Sequence, residues 1–358
     1  MSDRCGRTAK MTDAGIIGIR VDMNEHIATG QFMRCAAVAG RLAERGYRTV
    51  FISADEGILP FAGERGLETE ILHTDWRDTE SETVRLAAYL GRRGIKRLLV
   101  DSYQETERSL REIRENGIRT AYFDDLDAMV YPADILINYS SYPDRRYYQK
   151  KYEGTDTRLL IGPEYVPLRP QFADVQRCED THAGRKPVLF LTTGGSDPIG
   201  IAALVLRELR MNRMWQECEV RLLSGCYCSV PEEIENDARV TIYRGISDVA
   251  GLMAGCDLAA TPAGTTMYEL CACGVPSVSY IFADNMRSDA VFWGNNGMIP
   301  YAGDFREDPE KCAARTVRLL TELWDERTSG KGADRVRALQ SAFDGHGAQR
   351  IADELIRL

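Results

Sequence analysis

The side chains best suited to chemistry fall in three short stretches, each directly after an apolar run. The first is residues 20–34, Arg-Val-Asp-Met-Asn-Glu-His-Ile-Ala-Thr-Gly-Gln-Phe-Met-Arg. It offers a carboxylate at the end of the apolar run (Asp22), an imidazole (His26), a hydroxyl and a glycine at a turn (Thr29, Gly30), an amide (Gln31) and a guanidinium (Arg34). An imidazole or a carboxylate can take a proton; the amide of Gln31 only donates and accepts hydrogen bonds. His26 is either a base or an exposed loop histidine. Asp22 either reacts or fixes the loop. The second stretch is Thr192-Thr193-Gly194-Gly195-Ser196-Asp197-Pro198. Glycines at a strand end let the backbone approach a phosphate, and a following helix end supplies donors; the same pattern also makes a plain tight turn. The third is Thr261-Pro262-Ala263-Gly264-Thr265-Thr266-Met267-Tyr268-Glu269. Its hydroxyls and backbone N–H groups suit a diphosphate. Glu269, about one turn into the next helix, suits the two hydroxyls of a ribose or closes a capping box.

These stretches need strands before them and helices after them. Short β-rich runs at residues 16–20, 49–53, 97–101, 120–124 and 135–138 alternate with helical patterns at 30–45, 81–93 and 106–116. After a polar stretch, a second set of runs occupies 187–193, 220–224, 240–243, 258–260 and 277–280. Such alternation predicts crossover connections and parallel sheets with helices on both faces. The expected fold class is α/β, with two Rossmann-like domains facing across a cleft. The expected divisions are a disordered leader over 1–13, with Met11 available as an alternative start, a first domain over 14–172, a linker over 173–186, a second domain over 187–346, and a helix over 347–358 that packs back on the first domain. Asp101 and Asp124 sit at strand ends, where open α/β sheets bind ligands; turn formation or N-capping is their other role. Tyr139, Tyr142, Tyr147, Tyr148 and Tyr152 form a cluster that either stacks on a ligand or packs an interface.

Composition narrows the partners. At 358 residues the chain exceeds one typical core. A net charge of −9 argues against non-specific nucleic-acid binding but not against a small anionic ligand in a locally positive site. No apolar run approaches the ~20 residues of a membrane span, and residues 1–13 lack a signal-peptide core. Ten cysteines without paired spacing read as reduced thiols. Cys226-x-Cys228 and Cys271-x-Cys273 lack zinc-site spacing, and no metal or cofactor is expected.

The stretch 20–34 resembles the first loop of the pseudaminic-acid-pathway hydrolases, which cleave UDP from a 2,4-diacetamido-trideoxyhexose. That family usually shows Gly-x-Gly-His-x-Met-Arg there, its histidine being the proposed base; Gln31 stands in its place. Val100-Asp101-Ser102-Tyr103, Asp124-Asp125-Leu126, Leu160-Ile161-Gly162-Pro163, Leu168-Arg169-Pro170-Gln171-Phe172 and Asp344-Gly345-His346-Gly347 resemble further hydrolase motifs, in order. Gly264-Thr265-Thr266 with Glu269, followed by Gly274-Val275-Pro276-Ser277, resembles the donor half of two-Rossmann (GT-B) glycosyltransferases such as the lipid II-forming GlcNAc transferase. Arg244-Gly245-Ile246-Ser247-Asp248 resembles their uracil loop, and Ala283-Asp284-Asn285-Met286 an Ala-x-Asn-Gln sugar loop, with Met286 replacing the Gln.

The resemblance implies a cytoplasmic GT-B enzyme that binds a UDP-sugar and substitutes at its anomeric carbon. It implies UDP contacts at Gly194, Gly195, Ser196, Ile246, Ala263, Gly264, Thr265, Thr266 and Glu269, and sugar contacts at Thr29, Gly30, Arg34, Tyr103 and Asn285. The catalytic candidates are Gln31, Asp22, His26, Tyr103 and Asn285. Water as nucleophile makes a hydrolase; a sugar or lipid hydroxyl makes an inverting glycosyltransferase. A non-catalytic nucleotide-sugar binder is the third reading. The sugar and the oligomeric state are unknown at this level.

Overall fold

A computed structural model describes residues 14–27, 29–140, 145–173, 175, 186–329 and 332–358. The expected leader, Tyr142 and most of the expected linker lie outside the described residues. Strands β1 (Ile16–Val21), β2 (Arg48–Ser53), β3 (Glu68–Ile71), β4 (Arg97–Asp101), β5 (Arg119–Phe123), β6 (Ile135–Asn138) and β7 (Arg158–Ile161) form a parallel sheet in the order β3-β2-β1-β4-β5-β6-β7. Strands β8 (Val188–Thr192), β9 (Glu219–Leu223), β10 (Val240–Tyr243), β11 (Leu258–Pro262), β12 (Ser277–Ile281) and β13 (Tyr301–Asp304) form a second, ordered β10-β9-β8-β11-β12-β13. Strand order reverses between β1 and β4, and again between β8 and β11, so each sheet opens a crevice at its carboxyl edge.

The central strands are covered on both faces and therefore read as nearly unbroken apolar runs. Arg20 is the exception within β1. It is fully buried, and its guanidinium is held by Glu82 and, at 2.7 Å, by Asp22. Asp22 also accepts from Ser53 Oγ at 3.0 Å and from Ala54 N at 2.8 Å, which ties the ends of β1 and β2 together.

Helix Gly30–Glu44 turns Gln31, Phe32, Arg34, Cys35, Val38, Ala39 and Leu42 inward, a spacing of three and four that makes one apolar face with two polar residues at its start. The last helix, Gly347–Arg357, lies against it through buried Ala348, Ile351, Ala352 and Leu355, with Arg45 Nε 2.7 Å from Asp353 and Arg158 paired to Glu354. Gly347 makes this return possible, since a Cβ there would sit 2.1 Å from the Val166 carbonyl oxygen. Between the sheets, Tyr139 meets Tyr268 edge-on at 6.1 Å, and Tyr268 packs on Phe343 at 4.9 Å. No helix among the described residues is long and apolar enough to cross a membrane.

Candidate functional site

A cleft of about 770 Å³ lies where the carboxyl edges of the two sheets face each other. One wall carries Thr29, Gly30, Gln31 and Arg34, with Tyr103 after β4, Asp125 after β5 and Tyr139 after β6. The other carries Thr193, Gly194, Gly195 and Ser196 after β8, Ala263, Gly264, Thr265 and Thr266 after β11, and Asn285 and Met286 after β12.

The two loops of the second wall are not equivalent. Asp197 turns its carboxylate onto the helix that follows the first loop, accepting from Ile201 N at 2.7 Å and Ala202 N at 3.1 Å. Those donors, expected for a phosphate, are thus taken by the chain itself. Helix Thr265–Ala272 has no side-chain cap at Gly264; Gly264 N and Met267 N donate to Pro262 O and Gly264 O, and the Thr265 and Thr266 end of the helix, its positive dipole end, lines the cleft. The first loop is held rigidly from behind by residues 225–228. Tyr227 N donates to Gly195 O at 3.1 Å, and Gly225 packs so closely that a Cβ would lie 2.2 Å from Gly194 O.

The first wall is organised by Arg34, whose guanidinium is committed to protein acceptors. Nε and Nη2 fork onto Asp101 at 2.6 and 2.5 Å. Nη1 donates to Asp125 at 2.8 and 3.0 Å and to Tyr139 Oη at 2.6 Å. Burial opposes the charge on Arg34, and the carboxylates of Asp101 and Asp125 more than offset it, so its pKa is raised. Burial pushes Asp101 above the usual carboxylate range, with Arg34 pulling the other way. The network crosses the cleft: Tyr103 Oη donates to Asp125 Oδ2 at 2.8 Å and accepts from Asn285 Nδ2 at 3.1 Å. Tyr139, whose hydroxyl burial pushes up to about 12, shares a hydrogen bond with the Thr265 side chain.

Most expected site residues therefore converge on one cavity, but four differ in detail from expectation. Asp22 does not reach the cleft; its carboxylate is buried against Arg20, Ser53 and Ala54, so it fixes the loop. Arg34 lines the cavity but spends Nε, Nη1 and one N–H of Nη2 on Asp101, Asp125 and Tyr139. Glu269 is buried away from the cleft, its Oε1 accepting from Arg169 Nε at 2.9 Å. Ile246 packs half-buried against the core and does not line the cavity. His26 lies at the cavity rim with 59% of its side chain exposed, near Glu25 and Trp76. Gln31 is 6% exposed and lines the cavity; among the described residues its Nε2 has no hydrogen-bond partner. Of the tyrosine cluster, Tyr148 and Tyr152 are core, and Tyr139 sits at the junction of the two sheets. Asp124 makes a turn, accepting from Asp127 N at 2.8 Å and Tyr148 Oη at 2.9 Å.

Asp125 lines the cavity without having been among the expected site residues, and Tyr139 does so as the member of the tyrosine cluster that meets Arg34. The signal for Asp125 was its place just beyond β5, at the sheet edge where ligands bind.

No family model matches the chain. The uncharacterised protein MJ1062 of Methanocaldococcus jannaschii is 24% identical over 277 residues, covering 73% of this chain and 54% of that protein. The chain thus spans about half the length of that curated relative. MurG of Acinetobacter baumannii superposes with a TM-score of 0.63 at 14% identity, over 96% of this chain and 99% of that one. Phytolacca americana UGT2, solved with UDP-2fluoro-glucose and pterostilbene, gives 0.68 at 11% identity, over 96% and 99%. Anabaena HepE, solved with UDP and glucose, gives 0.56 at 12%, over 96% and 100%. The chain has the GT-B fold. In GT-B terms the seven-stranded sheet is the first half, and the six-stranded sheet, with the uncapped helix end at Gly264, is the second.

Proposed function

We propose that the chain is a glycosyltransferase that takes its sugar from a UDP-sugar and inverts the anomeric centre. The observation that carries this reading is the pairing of the two walls: an uncapped helix end with the Thr265 and Thr266 hydroxyls lines one cavity together with Gln31, Tyr103 and Asp125 of the other wall. The GT-B neighbours solved with UDP and with UDP-2fluoro-glucose support a nucleotide-sugar as the ligand.

In this reading Gly194, Gly195, Ser196, Ala263, Gly264, Thr265 and Thr266 hold the diphosphate. Negative charge develops there as the anomeric C–O bond breaks, and fixed N–H groups and hydroxyls stabilise it without reorganising. Thr29, Gly30, Gln31, Tyr103 and Asn285 hold the sugar. The acceptor hydroxyl approaches from the first wall, opposite the leaving group, and direct displacement from that side inverts the centre. Arg169 takes only Oε1 of Glu269, which leaves Oε2 for a ribose hydroxyl in this reading.

Hydrolysis is the second reading, favoured by the ordered hydrolase-like motifs from residue 20 to residue 347. Incubation with a panel of UDP-sugars, with and without hydroxyl acceptors, separates the two by mass spectrometry. Acceptor-dependent UDP release supports transfer, and free sugar without acceptor supports hydrolysis. UDP binding without either product identifies a binder that has lost chemistry.

A further inference from the structure

Transfer to a hydroxyl needs a group to take that hydroxyl's proton. Gln31 cannot, and the other acidic or basic groups facing the cavity are mostly engaged. His26 is largely exposed at the rim. Asp127 holds Lys151. Asp289 accepts from Ser140 Oγ at 2.8 Å.

Asp125 differs. It shares one guanidinium with Asp101, so the trio of Asp101, Arg34 and Asp125 carries one negative charge in excess. Asp101 is sealed off and takes the Arg34 fork, whereas Asp125 takes only Nη1 and keeps 16% of its side chain exposed. A carboxylate offers about four acceptor sites. Among the described residues Oδ2 accepts from Arg34 and Tyr103 and Oδ1 from Arg34 alone, which leaves a lone pair on Oδ1.

A second polar side chain lines the same cavity. Gln31 stands one helical turn before Arg34 on the same face and lines this cavity, and among the described residues its buried Nε2 has no hydrogen-bond partner. An unmatched buried donor is costly unless a ligand oxygen meets it.

We propose that Asp125 is the proton acceptor of the transfer, with Gln31 lining the cavity that holds the same substrate. The inference rests on the transferase reading. As the acceptor oxygen bonds to the anomeric carbon, its proton passes to Asp125 Oδ1, and the sugar–phosphate C–O electron pair leaves with UDP. Tyr103, itself bonded by Asn285 from the other wall, orients the carboxylate, so the base is set by both halves.

The test uses the full chain with Asp125→Asn and Asp125→Gly. The asparagine variant removes only the excess charge and leaves Arg34 matched to Asp101. Expected are a turnover loss of ~10²–10⁴-fold, the usual contribution of a general base, with UDP affinity unchanged. Formate should restore turnover to the glycine variant. An acidic phenolic acceptor, used as its phenolate, should be glycosylated equally by native protein and Asp125→Asn. Full activity of Asp125→Asn on an alcohol acceptor would overturn the assignment. So would lost UDP binding, or a loss that neither formate nor the phenolate relieves. If the native chain transfers to no hydroxyl at all, the transferase reading fails first, and this inference falls with it.

Discussion

Replacing Arg34 with lysine tests whether this arginine builds the first wall. Arg34 makes five donor contacts, two to Asp101, two to Asp125 and one to Tyr139, and its Cζ lies 4.5 Å from the Phe123 ring centre. A lysine ammonium is a single nitrogen without a fork and cannot span Asp101 and Asp125 together. At least two charge-assisted bonds are lost, each worth about 1.5–3 kcal/mol. Because the charge is kept, the cost should fall at the low end of the ~3–5 kcal/mol for breaking a buried pair. About 3 kcal/mol corresponds to exchange faster by roughly a hundredfold in amides that open with this region. Hydrogen–deuterium exchange read by mass spectrometry resolves the location. The effect should appear in β4, β5 and helix Gly30–Glu44, while β9 and β10 exchange as before. Unchanged protection in β4 would refute the role given to Arg34.

Three further outcomes follow from the structure. Burial raises the Glu105 carboxyl to about 7, with the Ser109 hydroxyl and Arg20 opposing, against ~4.3 in an unfolded chain. The folded form therefore binds the proton more tightly, and that stability, complete below pH ~4.3, is lost as pH rises through about 7. Glu105→Gln should be more stable than the native chain by on the order of 3 kcal/mol at pH 8, and indistinguishable near pH 4, in denaturant unfolding; a difference constant with pH would refute the buried acid. Glu269→Ala should lower stability by about 1–3 kcal/mol by leaving the Arg169 guanidinium without its partner. If Glu269 also meets ribose, calorimetry will show weaker UDP binding in Glu269→Ala than in Arg169→Ala; equal affinities would confine it to the ion pair. Gln31→His should produce UDP-sugar hydrolysis without acceptor, with a rate limb near pH ~6–7 where imidazole titrates; a flat profile would mean residue 31 does not face the reacting carbon.

The central architecture was legible because central parallel strands are buried on both faces. β1, β4, β8 and β11 read as apolar runs, and each is followed by a loop that reaches the cleft. β3, β7 and β13 were not read, and all three lie at sheet edges. Their four-residue sequences Glu-Thr-Glu-Ile, Arg-Leu-Leu-Ile and Tyr-Ala-Gly-Asp are short and carry charge or glycine, as an edge tolerates. In the site, loop position was legible and partnership was not. Asp22, Arg34 and Glu269 were each rightly placed near strand ends or helix starts. Their partners, Ser53 and Ala54 for Asp22, Asp101 and Asp125 for Arg34, and Arg169 for Glu269, become neighbours only through tertiary packing, and pairing decides whether a charge serves a ligand or the fold. The orphan amide of Gln31 is likewise visible only once its surroundings are.

Proton NMR of the reaction of an α-linked UDP-sugar with a hydroxyl acceptor tests the central claim most directly. The account predicts a β-linked product formed in step with UDP, and no UDP release when the acceptor is left out. Free sugar appearing without acceptor, or a product that keeps the α configuration, would contradict transfer by direct displacement across this cleft.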